Sequence, residues 1–459
     1  MNGNRITPRY LIGSWHLPLR LLLTCLSMAV FLIPSRGQDT TATSVHLSLE
    51  DAIKMGVQQS KVLKLSQAKV DAAAARVLET NDAQLPSAKA NLAYSEATLL
   101  SGPVHLPGSS KPLSLPALNP FYLGTVSVEQ AIFAGHRLRY ARQSARLMVQ
   151  IASLEATNDQ QGVMLDIIGE YYNLLKVIES TRILDSSLSD INSRLQETEK
   201  FASQGLATRN DVLRWELQQS NSAITLLELE DNRKDISYDL DLLLGLPTGT
   251  DIDVDTTINL NNDLQPLDQL IRQADSSRAD LATFGYQNQI ADLNIRQIKS
   301  GEVPTIGAAF QMYYINPNYN PFPSSGSLYL IPVTLGVQAS WDIGTLWTSK
   351  NKINEAKVQQ RETGIQESQL RDNISSEVHK SYTTYLEALK KIRLLSTAVD
   401  QAEENERIME SKYQNQLATT TDRIDAQTLL YQAQINLQLA RVDARMAYFT
   451  LLKSTGTIQ

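Results

Sequence analysis

Two aspartates, Asp422 and Asp425, stand three positions apart near the end of the chain. Residues with this spacing on a helix share one face, so the two carboxylates point the same way. Asp422 also follows Thr419 by three positions, which is the spacing of a capping box with Asp in place of Glu. Acidic side chains are also favourable in the first turn of a helix. The pair is therefore either a helix cap or a site that attracts cations.

No pattern typical of catalysis accompanies these aspartates. The chain has 5 histidines, at positions 16, 46, 105, 136 and 379, and they show no metal-ligand spacing. Its single cysteine, Cys25, lies in an N-terminal apolar segment, and neither a GxSxG elbow nor a P-loop is present. We expect no enzyme activity, no cofactor and no metal site.

Residues 1–37 have the composition of a secretory signal peptide. They contain four arginines and no acid, enclose the apolar run 21–33 and end with Ser35-Arg36-Gly37. Thr24 precedes Cys25 where a lipobox needs a small residue, so a lipid anchor is not expected. Removal of this segment changes the formal net charge from -7 to about -11, which argues against a nucleic-acid partner.

The rest of the chain is internally duplicated. LATRNDVLRW, starting at Leu206, aligns with LATTTDRIDA, starting at Leu417, and the same offset pairs Tyr171 with Tyr382 and Gly245 with Gly456. A fixed offset over a long stretch indicates a repeated structural unit. We expect a first repeat over residues 38–247 and a second over residues 248–459.

Each repeat has the order helix, strand, loop, strand, long helix, tip, helix. The β-hairpins are predicted over residues 85–133 and 304–343, and the helical tips over 204–210 and 415–421. In the long helices, apolar residues recur every seven positions, as in a coiled-coil seam. The seam residues are Val177, Leu184 and Ile191 in the first repeat and Val378, Tyr385, Ile392 and Val399 in the second.

The four predicted strands alternate between apolar and polar residues over about ten positions, the length of a tilted strand that crosses a membrane. No later stretch approaches eighteen uninterrupted apolar residues, so we expect no transmembrane helix. Two soluble hairpins, half-buried against helices, alternate in the same way and remain an alternative. In lipid, four strands leave open edges, so copies of the chain would have to share a barrel. Three copies give the smallest barrel expected to leave a pore.

The whole mature chain resembles the TolC family of outer-membrane channel proteins. The resemblance is carried by LSLEDAIKMGVQQS, by the GLAT and QLAT tips, by NDVLRWELQQSNSAITLLELEDNRKDISYDLDLLLGLP, by WDIGTLW and by TTTDRIDAQTLLYQAQINL. It implies a homotrimer with a twelve-stranded β-barrel in the outer membrane above a periplasmic tunnel of paired helices. Such a channel is the exit duct of a tripartite efflux pump, reached through a periplasmic adaptor from an inner-membrane pump. A type I protein secretion channel and a non-conducting periplasmic coiled-coil scaffold are the alternatives.

The resemblance also assigns residues. It implies that Asp422 and Asp425 form a gate ring, and that Asp211 and Tyr413 contribute to contacts that hold the tip closed. The arginine that usually joins them is replaced by Ala418, which leaves the construction of this lock open, and Tyr413 alternatively only packs between helices. The tip turns implied to meet the adaptor are Gly205, Leu206, Ala207, Thr208, Leu417, Ala418 and Thr419, which any tight helical hairpin also uses.

Overall fold

The computed structural model describes residues 44–97, 108, 119–258, 260, 264–316 and 329–458. The expected signal peptide with Cys25, and most of the two loops inside the expected β-hairpins, lie outside the described residues. The described residues from Val45 onward form one compact unit. No helix in the described part of the chain combines the length and the apolar character needed to cross a membrane.

Long helices alternate with antiparallel strands, as predicted. The elements are β1 (Ser44–Leu47), α1 (Leu49–Gln59), α2 (Lys61–Asp82), β2 (Ser87–Ala97), β3 (Asn119–Phe133), α3 (Arg137–Ser203), α4 (Arg209–Leu244), β4 (Asp251–Val254), α5 (Leu267–Ser277), α6 (Ala279–Lys299), a 3₁₀ turn (Ser300–Glu302), β5 (Thr305–Asn316), β6 (Val333–Ser340), α7 (Thr345–Gln414) and α8 (Thr420–Ser454).

Three features differ from the sequence prediction. The first helix is interrupted at Ser60, whose hydroxyl accepts a hydrogen bond from Leu63 N and caps α2. The corresponding helix of the second half is interrupted at Arg278. Strands β1 and β4, which pair in a separate two-stranded sheet, were not foreseen, because four residues are too few to show a period.

Four strands form an antiparallel sheet in the order β2-β3-β5-β6. Val126 lies opposite Ala90 and Met312, and residues directly opposite each other in antiparallel strands share a face. One face is therefore apolar, with Gln130 and Asn316 near its two ends. It consists of Ala88, Ala90, Leu92, Tyr94, Tyr122, Gly124, Val126, Val128, Ala308, Phe310, Met312, Tyr314, Val333, Leu335 and Val337.

The opposite face of this sheet is mostly polar, so the predicted alternation is confirmed. It carries Lys89, Asn91, Thr125, Ser127, Glu129, Gln311, Thr334 and Gln338. The apolar face is uncovered in the single chain, where Leu92 is 80% and Leu335 81% exposed. A large exposed apolar surface of this kind is typical of a face that contacts another protein or the lipid of a membrane.

The two longest helices, α3 with 67 residues and α7 with 70, each span about 100 Å at about 1.5 Å per residue. Helix α3 packs against α2, α4, α6 and α8, and α7 packs against α5, α6 and α8. Five of the seven predicted seam residues, Val177, Leu184, Ile191, Val378 and Tyr385, are buried, as expected for residues that face a packed helix, whereas Ile392 and Val399 are only half-buried.

The larger core cluster joins the short sheet to the middle of α3. Tyr171 is 2% exposed, and its hydroxyl donates a hydrogen bond to the carbonyl of Leu47 over 3.2 Å and accepts one from the N–H of Asp255 over 3.0 Å. Burial raises the pKa of Tyr171 to about 12. The neutral hydroxyl of Tyr171 therefore links α3 to two strand ends: Leu47, the last residue of β1, and Asp255, which follows β4.

Gly56 marks the closest approach of α1 to α3, because a Cβ at this position would overlap Ile167 Cδ1. We expect Gly56→Ala to destabilise the protein by about 2 kcal/mol through overpacking, measured as a lower thermal unfolding midpoint in detergent. Gly364→Ala is the matched control, because nothing lies within 4 Å of the added Cβ. The control should stabilise α7 by up to about 1 kcal/mol. Equal shifts in both variants would contradict this account of the packing.

Candidate functional site at the helical tips

The two helical tips use the same turn with different residues. At the end of α3, Gly205 has φ 73°, and Leu206 N donates a hydrogen bond to Phe201 O over 2.8 Å. At the end of α7, Gln416 has φ 62°, and Leu417 N donates to Lys412 O over 2.8 Å. Both are Schellman turns, which need a left-handed residue. Glycine adopts this conformation without strain, whereas glutamine does so at a cost of about 1–2 kcal/mol.

Both predicted capping boxes are confirmed. The hydroxyl of Thr208 accepts a hydrogen bond from Asp211 N, and Asp211 Oδ2 accepts one from Thr208 N over 2.9 Å. Thr419 and Asp422 form the same reciprocal pair, with Thr419 N 2.9 Å from Asp422 Oδ2. Each return helix thus begins with two of its free N–H groups satisfied.

The twin aspartates differ in their second carboxylate oxygen. Asp211 Oδ1 accepts a hydrogen bond from the hydroxyl of Thr420 over 2.6 Å, which links the first tip to the second. In the described part of the chain, Asp422 Oδ1 has no hydrogen-bond partner, and the residue is exposed. One oxygen of Asp422 is therefore free to meet an ion or a neighbouring chain.

Both carboxyls are held in the ionised form. Burial works against the charge of Asp211, but hydrogen bonds from Thr208 and Thr420 outweigh it and lower its pKa. Hydrogen bonds from Thr419, and then the charge of Lys412, lower the pKa of Asp422. Within one chain, the carboxylate that is predicted to line a gate therefore carries its negative charge at neutral pH.

The remaining predicted residues surround this pair. Asp425 is exposed and, among the described residues, forms no ion pair. Tyr413 is half-buried, and its hydroxyl forms no hydrogen bond within the described chain. At the turns, Leu206 is 63% and Leu417 78% exposed, while Ala207 and Ala418 are half-buried. The tips thus present leucine side chains outward.

A buried charge network, missed by the sequence prediction, lies beside the second tip. Arg423 is 3% exposed, and its Nε and Nη2 atoms lie 2.5 Å from Glu410 and 2.6 Å from Glu406. Glu410 also pairs with Arg194 of α3 over 2.8 Å. Arg423 stands between Asp422 and Asp425 in sequence but points away from them, into the helix pair.

This network connects the two helical hairpins of the chain. Glu410 and Arg423 belong to the α7/α8 hairpin, and Arg194 belongs to the α3/α4 hairpin. Hydrogen bonds from Thr420 to Asp211 and from Gln218 to Thr428 join the same two hairpins. Three polar contacts therefore hold the two hairpins together near their tips.

The network is not fully satisfied. Within the described residues, Arg423 Nη1 and Gln427 Oε1 are buried without a hydrogen-bond partner. Desolvation of a buried ion pair offsets much of its attraction, and unpaired buried groups add to the cost. The network therefore fixes the position of the tip more than it stabilises the fold.

The described chain offers no site for a resident metal. Across those residues, no group of three or more His, Cys, Asp or Glu side chains is arranged to hold a metal ion. The tip itself carries exposed carboxylates and buried ion pairs.

The chain is similar in sequence to known outer-membrane proteins. Residues 270–457 match the family model described as Outer membrane efflux protein. The chain is 21% identical over 310 residues to Outer membrane protein TolC of Escherichia coli (strain K12), covering 65% of this chain and 62% of TolC. It is 21% identical over 347 residues to Outer membrane efflux protein BepC of Brucella suis biovar 1 (strain 1330), covering 74% of each.

The fold matches solved outer-membrane channel structures. The crystal structure of the outer membrane protein VceC from Vibrio cholerae superposes with a TM-score of 0.70 at 17% identity, covering 89% of this chain and 96% of VceC. The alignment with TolC spans less than two thirds of the length of that relative.

Replacement of Gln416 by glycine should relieve the strain at the second turn. We expect Gln416→Gly to slow hydrogen exchange of the Leu417 amide by about tenfold, because about 1–2 kcal/mol of left-handed strain is removed. Gly205→Ala, at the twin position, should speed exchange at Leu206. Hydrogen-exchange mass spectrometry of peptides covering both turns measures each effect. Unchanged exchange in Gln416→Gly would contradict the assignment of strain.

Removal of one charge should loosen the contact between the hairpins. Burial works against the charge of Glu410, but Arg423 outweighs it and lowers its pKa, so its contribution to stability is complete above about pH 4.3. That contribution is lost as the pH falls through the lowered value. We expect Glu410→Gln to speed hydrogen exchange at the tip more than tenfold at pH 7. The variant should also lack the loss of stability that the wild type shows as the pH falls through the pKa of Glu410.

The control for this variant is Glu403→Gln, an exposed glutamate on the same helix that forms no ion pair within the described chain. Exchange rates corrected for the intrinsic effect of pH should be unchanged in the control. Equal effects of the two variants would show that Glu410 acts only through the general charge of α7.

Proposed function

We propose that the chain, whose residues 270–457 match the outer membrane efflux protein family, is a member of that family and forms the outer-membrane exit channel of a tripartite efflux pump. The family consists of channels, so the chain is not an enzyme. It conducts substrates passively, and an inner-membrane pump supplies the energy through a periplasmic adaptor. The strands lie in the outer membrane, and the long helices extend into the periplasm.

The observation that carries this proposal is the sheet β2-β3-β5-β6, which has one apolar face and two open edges. Within the described chain, β2 and β6 each pair on one side only. In lipid, an unpaired strand edge leaves backbone groups unsatisfied, so the sheet must close with further strands. Three copies supply twelve strands and a water-filled interior. The homotrimer is the assembly that follows.

Aromatic residues at the end of the sheet remote from the helices support a membrane position. The rings of Tyr94 and Tyr122 lie 5.1 Å apart, and those of Tyr314 and Tyr329 lie 6.4 Å apart. Tyrosine and tryptophan are enriched at membrane–water interfaces. Trp341 follows β6 at the helix side and would mark the other interface.

Residues 38–247 and 248–459 act as two structural repeats in this proposal. Each repeat supplies two strands to the sheet and one long helical hairpin with a capped tip. The trimer therefore has six hairpins around its axis. The exposed turns, Gly205–Thr208 in the first repeat and Leu417–Thr419 in the second, form the surface for the adaptor, because outward leucines at tight turns allow close packing of a partner helix pair.

The second tip forms the gate. Asp422 and Asp425 share one exposed face of α8, and three copies bring six carboxylates around the axis. Such a ring attracts cations. The buried contacts of Arg423 and Arg194 with Glu410, together with the Asp211–Thr420 hydrogen bond, take over the closing function of the arginine that Ala418 replaces. Tyr413 lies on α7 beside this network, where it faces a neighbouring copy.

Protein export through the same duct remains the second candidate, since the geometry of the tip and sheet serves both cargoes. A periplasmic scaffold without a channel is disfavoured, because it leaves the apolar face of the sheet without a partner. The choice between a channel and a scaffold is open to direct measurement.

Single-channel conductance of the purified mature protein in a planar bilayer tests the proposal. We expect small, cation-selective openings in the wild type. Selectivity should fall close to unity in Asp422→Asn/Asp425→Asn, in which the amide introduced at position 422 still caps α8. The control is Glu228→Gln/Glu230→Gln, two exposed carboxylates of α4 remote from the tip, which should leave selectivity unchanged.

The outcomes separate the parts of the proposal. A conducting protein whose selectivity survives the double substitution keeps the channel and returns the two aspartates to helix capping. A well-folded trimer that never conducts overturns the channel and favours the scaffold.

A further inference from the structure

The start of α3 carries an unusual concentration of positive charge. Arg137, Arg139, Arg142 and Arg146 fall within its first ten residues, and no acid occurs between positions 130 and 154. The whole chain, by contrast, has a formal net charge of -7. This local excess is therefore not a reflection of composition.

These arginines are not stabilised by charge at the start of α3. Cations near the N-terminus of a helix oppose its macrodipole, and the first turn of α3 contains no acid that would compensate. Across the described residues, none of the four forms an ion pair, and Arg142 Nε is buried without a hydrogen-bond partner. Charges that cost stability and remain unpaired are typical of a binding surface.

A second group of cations lies at the start of α7. Lys350 and Lys352 are exposed, and the first turn of this helix also lacks an acid. Trp347, one turn before Lys350, is 66% exposed, and Leu346 and Ile343 are exposed beside it. Exposed tryptophan next to lysine is the combination found where a protein meets lipid headgroups.

Sheet topology brings these two groups to one level. Strand β3 leads directly into α3, β6 leads directly into α7, and β5 lies between β3 and β6. The strands are therefore about 10 Å apart at the edge where both helices begin. We call the six residues Arg137, Arg139, Arg142, Arg146, Lys350 and Lys352 the basic collar.

A cleft beside the collar has room for a headgroup. It lies between α3 and α6, has a volume of about 600 Å³, and is lined by Arg146, Leu147, Leu293 and Arg296 among others. Arg296 is neutralised by Asp292 over 2.8 Å, whereas Arg146 has no acidic partner in the described chain. The acid Glu302, which accepts a hydrogen bond from Ser349, is not among the residues that line the cleft. A net positive charge therefore remains at the cleft.

We propose that the basic collar binds the phosphate groups of anionic phospholipids at the periplasmic leaflet of the membrane. The inference rests on the proposed position of the sheet in that membrane, since its apolar face ends where the collar begins. Helix α3 is flanked by α2 and α6 within its own chain.

The test uses the full mature protein in nanodiscs of phosphatidylethanolamine with or without phosphatidylglycerol. Retained lipid is counted by native mass spectrometry for the wild type and for Arg137→Gln/Arg139→Gln/Arg146→Gln. We expect the variant to lose retained phosphatidylglycerol by at least about tenfold, because each basic residue at an anionic surface contributes about fivefold to binding.

The matched control is Lys390→Gln/Lys391→Gln/Arg393→Gln, three exposed cations of α7 more than about 60 Å from the sheet along the helix. It should retain phosphatidylglycerol as the wild type does. Equal retention in all three proteins overturns the collar. Loss of retained lipid on addition of millimolar inorganic phosphate would show a free-phosphate site and would also overturn it.

Flotation with phosphatidylethanolamine vesicles separates this inference from the proposed function. If the wild type and both variants fail to float with vesicles of phosphatidylethanolamine alone, the membrane position of the sheet is contradicted, and with it the channel. If all three proteins float, and replacement of the arginines does not change their retention of phosphatidylglycerol, only the collar is contradicted.

Discussion

The open edges of the four-stranded sheet are the constraint on which the rest of the structure depends. A backbone N–H or C=O without a partner is tolerable in water and costly in lipid. The apolar face of the sheet favours lipid, and its two outer strands demand neighbours there. In the proposed trimer, closure by copies of the same chain would satisfy both demands. It would also triple every feature of the helical tips, so that a pair of carboxylates in one chain would become a ring in the assembly.

The two tips have the same local chemistry and different surroundings. Both turns are Schellman turns followed by capping boxes, but only the first has glycine at the left-handed position. Asp211 uses its second oxygen to accept a hydrogen bond from Thr420, whereas that of Asp422 has no partner within the described chain. The carboxylate of the first tip thus positions the second tip, while that of the second tip is exposed.

Local patterns in the sequence predicted much of this. Thr-x-x-Asp predicted both caps, the period of two predicted the faces of the sheet, and the seven-residue period predicted the seam of α3. The Arg423 network was not predictable, because Arg194 and Glu410 lie far apart in sequence and meet only when two hairpins pack. The short strands β1 and β4 were missed for the same reason, since their pairing is set by distant contacts around Tyr171.

That pairing has a consequence for how the chain reaches its structure. The first described residues, in β1, find their strand partner only in β4, some two hundred positions later. Long loops close slowly, because their chain entropy is lost before the contact forms. As the chain emerges N-terminus first, β1 must wait until α3 and α4 have followed. We therefore expect the first half to finish folding when β1 pairs with β4. The second half would then pack against a first half that is already folded.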